Sequence, residues 1–179
     1  MSELDIDINS YLKRLFPLNR SLAGSCNRQS LEILKEICPL SVLEYKSGTK
    51  VYDWKVPPEW ELNRGYIKAE NGETIIDTRN TNLHVASFSK RVSCKISKEA
   101  LQKKLHTHPK LADAIPYRTT YYNKNWGFCL SYNQFKNLNK NKYKVEIKSD
   151  FKKGFMHYGE VLIKGKSKKE ILLSTNICH

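Results

Sequence analysis

Ile171-Leu172-Leu173-Ser174, running on into Thr175-Asn176-Ile177-Cys178-His179, is an unbroken apolar triplet followed by small and polar residues. Alternation of apolar and polar residues marks a strand with one wet face, whereas a continuous apolar run marks a strand covered on both faces. Such strands lie centrally in open α/β sheets, whose ligands bind just beyond the carboxyl ends of the strands. The pattern therefore predicts a central strand at Ile171 to Ser174 and a site position at Thr175 to His179. Only five residues follow Ser174, so the sheet is expected to be incomplete within this chain.

Working back from that strand, Gly159 to Ile163 and Glu170 to Ser174 read as a hairpin joined through Gly165, and Lys142 to Ile147 alternates as a strand with one solvated face. Earlier short strands are predicted at Leu40 to Tyr45, Val51 to Trp54, Tyr66 to Lys68, Thr74 to Asp77, Leu83 to Phe88, Val92 to Ile96 and Trp126 to Leu130. Turn signals at Ser47-Gly48-Thr49, Pro57-Pro58 and Asn71-Gly72 separate them. Many short strands at this spacing imply a sandwich or jelly-roll-like β domain. Ser97 precedes a turn or two of helix, Ser131 is placed to cap a helix through Leu138, and His106 to Tyr122 reads as an ordered loop with Pro109 and Pro116. The first block is helical. One short helix ends near Pro17, and a second begins at Ser25, buries Leu31, Leu34 and Ile37, and stops at Pro39.

Composition narrows the classes. The chain has 179 residues, 40% of them hydrophobic and 11% aromatic, which is a globular composition. No basic n-region precedes an apolar run at the N-terminus and no stretch approaches a membrane span, so a cytoplasmic protein is expected, with no membrane partner. The five cysteines are scattered and odd in number, which favours reduced, buried thiols over a disulfide framework. The net charge of +13 invites nucleic acid, but lysine outnumbers arginine by 24 to 7, and the lysines of 142–148 alternate along a strand. Base and phosphate recognition favours the forked guanidinium, so a solvated lysine surface is preferred and nucleic acid is not.

Ten stretches, in order, resemble one family: Phe16-Pro17-Leu18-Asn19-Arg20-Ser21-Leu22, Ser47 to Trp54, Val56-Pro57-Pro58-Glu59-Trp60, Asn82-Leu83-His84-Val85, Asp113 to Tyr117, Tyr121-Tyr122, Trp126-Gly127-Phe128-Cys129, Tyr158-Gly159-Glu160, Leu172 to Thr175, and Cys178-His179. They are similar to the bacterial aminopeptidase-like proteins of the zinc exopeptidase clan. The resemblance implies a mixed α+β or α/β fold. Residues 1–39 would be the N-terminal helical part, 40–140 an inserted β-rich domain, and 141–179 the first strands of the peptidase-like sheet. It further implies that His179 is the first zinc ligand and that the bridging acid, the catalytic glutamate and the other ligands lie beyond this sequence.

A catalytic zinc takes about three protein ligands and an open position for water, and hydrolysis adds a carboxylate base. One histidine supplies neither requirement, so the chain is expected to be inactive alone and to hold no zinc. Its partner would be a separately encoded C-terminal catalytic part or a second copy. A binding module whose β domain takes a saccharide or peptide is the alternative.

The other candidates favour bland roles. His106-Thr107-His108 lies before Pro109 with no acid nearby, His84 sits between Leu83 and Val85, and His157 stands alone. Trp54, Trp60, Tyr121, Tyr122 and Trp126 suit a core or an interface better than a stacking platform. Asn19 and Ser21 suit local turn bonds, with Arg20 available to pair with a catalytic part. Cys178 and His179 are neighbours along a strand and point to opposite faces, which disfavours a cysteine nucleophile paired with that histidine.

Overall fold

A computed structural model describes residues 7–177 and shows an α+β chain of few helices and several small sheets. Its contacts divide it into two compact units, one of residues 1–59 with 152–179 and one of 60–151. Each unit is described by itself.

The first unit opens with helix α1 (Ile8–Leu15), whose N-cap Asp7 accepts from the Asn9 and Ser10 amides. Such a cap satisfies N–H groups that have no partner within the helix. Helix α2 (Ser25–Leu34) starts after Gly24, so Ser25 is its first helical residue and not its cap. Arg14 grips Glu36 with two 2.6 Å bonds, tying α1 to the end of α2. Strand β1 (Ser41–Lys46) pairs antiparallel with the strand formed by Phe155–Glu160, setting Glu44 opposite His157 and Leu43 opposite Tyr158, whose ring stacks diagonally on Tyr45. The strand predicted at Val51 to Trp54 is instead a tight hairpin of β2 (Lys50–Val51) and β3 (Trp54–Lys55), because Tyr52 turns the chain with φ 53°.

The second unit is built on a four-stranded sheet of order β5-β4-β9-β6, namely β4 (Glu59–Ala69), β5 (Thr74–Asp77), β6 (Val92–Ser97) and β9 (Lys142–Lys152). One face of β9 buries Tyr143, Val145, Ile147 and Ser149 while Lys142, Lys144 and Lys148 stay outside, as period-two alternation requires. Burying each large apolar side chain stabilises by about 1.5–3 kcal/mol, enough for this face to fix the register. Helix α3 (Lys98–Gln102) is capped by Ser97, and helix α4 (Tyr132–Lys136) by a capping box of Ser131 and Gln134. A parallel pair, β7 (Leu105–His106) with β8 (Phe128–Cys129), completes the unit's strands among the described residues.

Two predicted segments fold otherwise. Leu83 to Phe88 is no strand; a 3-10 turn at Asn82–His84 leads into Val85 to Ser89, whose backbone bonds Gly127, Arg118 and Thr120 in turn instead of one partner strand. The second is the segment after β10 (Phe155–Glu160). The hairpin through Gly165 does not form, and Ile171, Leu172 and Leu173 belong to no strand and are 92%, 90% and 89% exposed. An apolar run demands cover, but only neighbouring strands and helices supply it, and none among the described residues does.

Candidate functional site

His179, predicted as a metal ligand, and Cys178 beside it lie outside the described residues. The segment leading to them is apolar and bare, with Leu162 and Ile163 exposed as well as Ile171 to Leu173. Monomeric proteins rarely leave such a contiguous apolar stretch in water.

In the first unit, the notable group is a buried carboxylate. Glu59 accepts Arg28 Nη1 at 2.6 Å and the Phe155 backbone N–H at 3.0 Å, with Lys152 Nζ 3.4 Å away. Burial opposes its ionisation, but the Arg28 hydrogen bond, the Phe155 amide and the two cations together hold it below the usual carboxylate range. Gly154 lies directly against this carboxylate, where a Cβ would strike it. Sequence reading missed the anchor, since its partners stand 31 and 96 residues away. Nearby in sequence, Asn27 clamps the Ser21 backbone, donating to its carbonyl at 2.6 Å and accepting from its amide at 3.2 Å. His157 is buried, and its Nε2–H donates to Glu44 at 2.9 Å while Nδ1 has no partner among the described residues.

The second unit places its remaining histidines in structural roles. His84 is buried with Nδ1 2.9 Å from the Cys129 carbonyl, and burial lowers its pKa. His106 is half-buried in β7, and His108 accepts the Leu111 amide at 3.2 Å. The indole of Trp60 is buried and donates to the Ser89 carbonyl at 2.9 Å, and Lys104 lies 5.3 Å over Trp126. Tyr122, by contrast, is 85% exposed. Phe88 keeps φ at 62°, a strained conformation for a bulky residue, offset by packing against Trp60, Tyr121 and Phe151. Among the described residues, no three His, Cys, Asp or Glu side chains come together as a metal site.

What the geometry concentrates is charge on the solvated face of the four-stranded sheet. Arg64 and Lys68 flank the Tyr66 ring at 5.0 and 5.4 Å, and Tyr66 Oη donates to Glu146. Asp77 is buried between Arg64 at 2.6 Å and Arg79 at 3.0 Å; the Arg64 hydrogen bond, above all, drives its pKa far below the ordinary carboxylate value. Glu146 is also held by Lys148, and Asp150 by Arg91 and Asn63. Lys95 stands directly opposite Lys144 in the β6–β9 register, and Lys142 lies two residues along the same strand. The arrangement can bind anions; it presents no nucleophile with a base.

Residues 59–150 match the family described as a domain of unknown function (DUF2172). The chain is 42% identical over 178 residues to a Clostridium acetobutylicum protein provisionally named a polysaccharide biosynthesis protein with aminopeptidase-like domain, covering 99% of this chain and 41% of that one. It is also similar to the crystal structure of a Clostridium acetobutylicum protein provisionally described as a peptidase. That likeness has a TM-score of 0.79 at 41% identity and covers 84% of this chain and 36% of that one. The chain thus spans about two fifths of the curated relative that it matches.

Proposed function

The chain belongs to the family of the domain of unknown function DUF2172, and on that premise we propose that it is the N-terminal portion of a zinc-dependent aminopeptidase-like hydrolase. The bare run Ile171-Leu172-Leu173, about 90% exposed, carries this reading. Its cover would come from the peptidase-like portion of the relatives that this chain does not span, whether encoded separately or supplied in another form. Residues 171–174 would then join a sheet, and His179 would stand at the carboxyl end of that strand as a zinc ligand. The second unit would be the inserted β-rich domain, of jelly-roll or sandwich type in the full family.

The described residues bring no three candidate ligands together and so do not by themselves fit a catalytic zinc. Their part in such a protein is to scaffold and to bind. The names of the relatives support a peptidase-like activity of the whole protein, and the coverage of about two fifths of the matched relative supports reading this chain as a portion of such a protein.

The test is to express this chain alone, add zinc, and measure amino-terminal release from peptides together with bound metal. No turnover and no stoichiometric zinc are expected. Turnover that disappears in His179→Ala would overturn the claim that catalysis needs the remaining portion. Replacing Ile171 and Leu173 by Lys should lower hydrophobic-dye binding without changing the melting temperature; an unchanged dye signal would remove the observation on which the proposal stands.

A further inference from the structure

We infer that the solvated face of the β5-β4-β9-β6 sheet binds an acidic polysaccharide, its carboxylates held by Lys95, Lys142 and Lys144. The inference concerns the second unit only and is independent of any peptidase role. Paired residues of antiparallel strands share a face, so Lys95 and Lys144, directly opposite in register, project to the same side with their Cβ atoms about 5 Å apart. Lys142 follows on that side about 7 Å along β9. Like charges placed directly opposite destabilise a sheet, and the carboxylate nearest this pair, Glu146, attracts Lys144 but is shared with Tyr66 and Lys148.

The neighbouring carboxylates are already engaged. Asp77 is taken by Arg64 and Arg79, Glu146 by Tyr66 and Lys148, and Asp150 by Arg91 and Asn63. Lys95, Lys142 and Lys144 have no ion pair among the described residues. Three solvated ammonium groups in a flat, strand-spaced array therefore await an external anion. Ser93, opposite Glu146 and exposed on this face, adds a hydroxyl to the same edge strand.

The chemistry selects the kind of anion. Single-stranded nucleic acid gains much of its affinity by stacking bases on open aromatic rings. The aromatic ring of this face, Tyr66, is flanked by Arg64 and Lys68 and its hydroxyl is committed to Glu146, so it offers bases no platform. Lysine presents a compact point charge in place of a phosphate-gripping fork. A chain of sugar carboxylates and hydroxyls needs only spaced ammonium groups and hydroxyl partners, which the array supplies.

The full chain is titrated at low ionic strength with a uronate oligosaccharide, a neutral glucan of equal length and oligothymidylate. The uronate chain should bind, weaken steeply with salt, and lose at least tenfold in affinity in Lys95→Gln/Lys144→Gln. Lys95→Glu should lose as much while melting no lower than the native chain, because it replaces a like-charge pair by an opposite-charge one; this separates loss of binding from loss of fold. Equal uronate binding by the native chain and both variants, absence of uronate binding, equal binding of the neutral glucan, or tighter binding of oligothymidylate would each overturn the inference.

Discussion

Arg28, on helix α2, reaches Glu59 at the start of β4 with Nη1 2.6 Å from Oε1, so that a carboxylate only 3% exposed keeps its charge inside the first unit. The pair joins two segments that sequence separates widely, and the Phe155 amide adds a strand from the other end of the chain to the same oxygen.

Arg28→Ala should therefore cost about 1–3 kcal/mol of stability, since it leaves a buried carboxylate with weaker partners. Arg28 is itself 36% exposed, so solvent screens part of the bond and the lower end of that range is expected. Equilibrium denaturation of the variant measures it. A loss no larger than that of a surface Lys→Ala control would contradict the anchoring role.

Asp77 and Glu59 both have carboxyl pKa values held below their ordinary values by cations and N–H donors. A depressed folded-state pKa contributes stability that is present above the unfolded pKa and lost as pH falls through the folded one. Stability should hold from neutrality to about pH 5 and decline progressively below about pH 4. Asp77→Asn should start lower at pH 7 and show a shallower acid decline. Melting temperatures across pH 2–7 for both proteins decide the matter; parallel curves would exclude Asp77 as a source of the slope.

Burial pushes the Cys129 thiol up to about 12, while Cys94 is exposed on the edge strand β6. Because the thiolate is the reacting species, iodoacetamide at neutral pH should modify Cys94 and leave Cys129 untouched until the protein unfolds. Peptide mass mapping reads the order directly, and early labelling of Cys129 would show that its burial is wrong.

A Cβ on Gly65 would collide with Val85 and lie 3.5 Å from Phe128, which explains a glycine in the middle of a buried strand. Gly65→Ala should destabilise by about 1–3 kcal/mol through overpacking. Adding Val85→Ala should restore part of the loss by clearing the space. Absence of any coupling between the two substitutions would refute the contact.

Local pattern carried much of this fold. Thr74 to Asp77, Val92 to Ile96, the start of β9 at Lys142 and the Ser97 and Ser131 caps follow from alternation and from side chains that satisfy nearby amides, interactions that span a few residues. Leu83 to Phe88 looked like a strand because its composition is right for one. Its backbone instead bonds two separate segments, around Arg118 to Thr120 and at Gly127, a choice that only long-range packing can make. The candidate sites divide the same way. His84 was legible as a satisfied histidine, whereas the Glu59 anchor and the Lys95–Lys144 pair are created by register and appear in no local motif.

The run Ile171-Leu172-Leu173 marks the limit of both kinds of knowledge. Sequence by itself determined that these side chains require burial, because hydrophobic demand belongs to the residues. Tertiary structure decided that this demand is unmet among the described residues and that the charged sheet face stands open, because cover and charge pairing depend on which strands lie alongside.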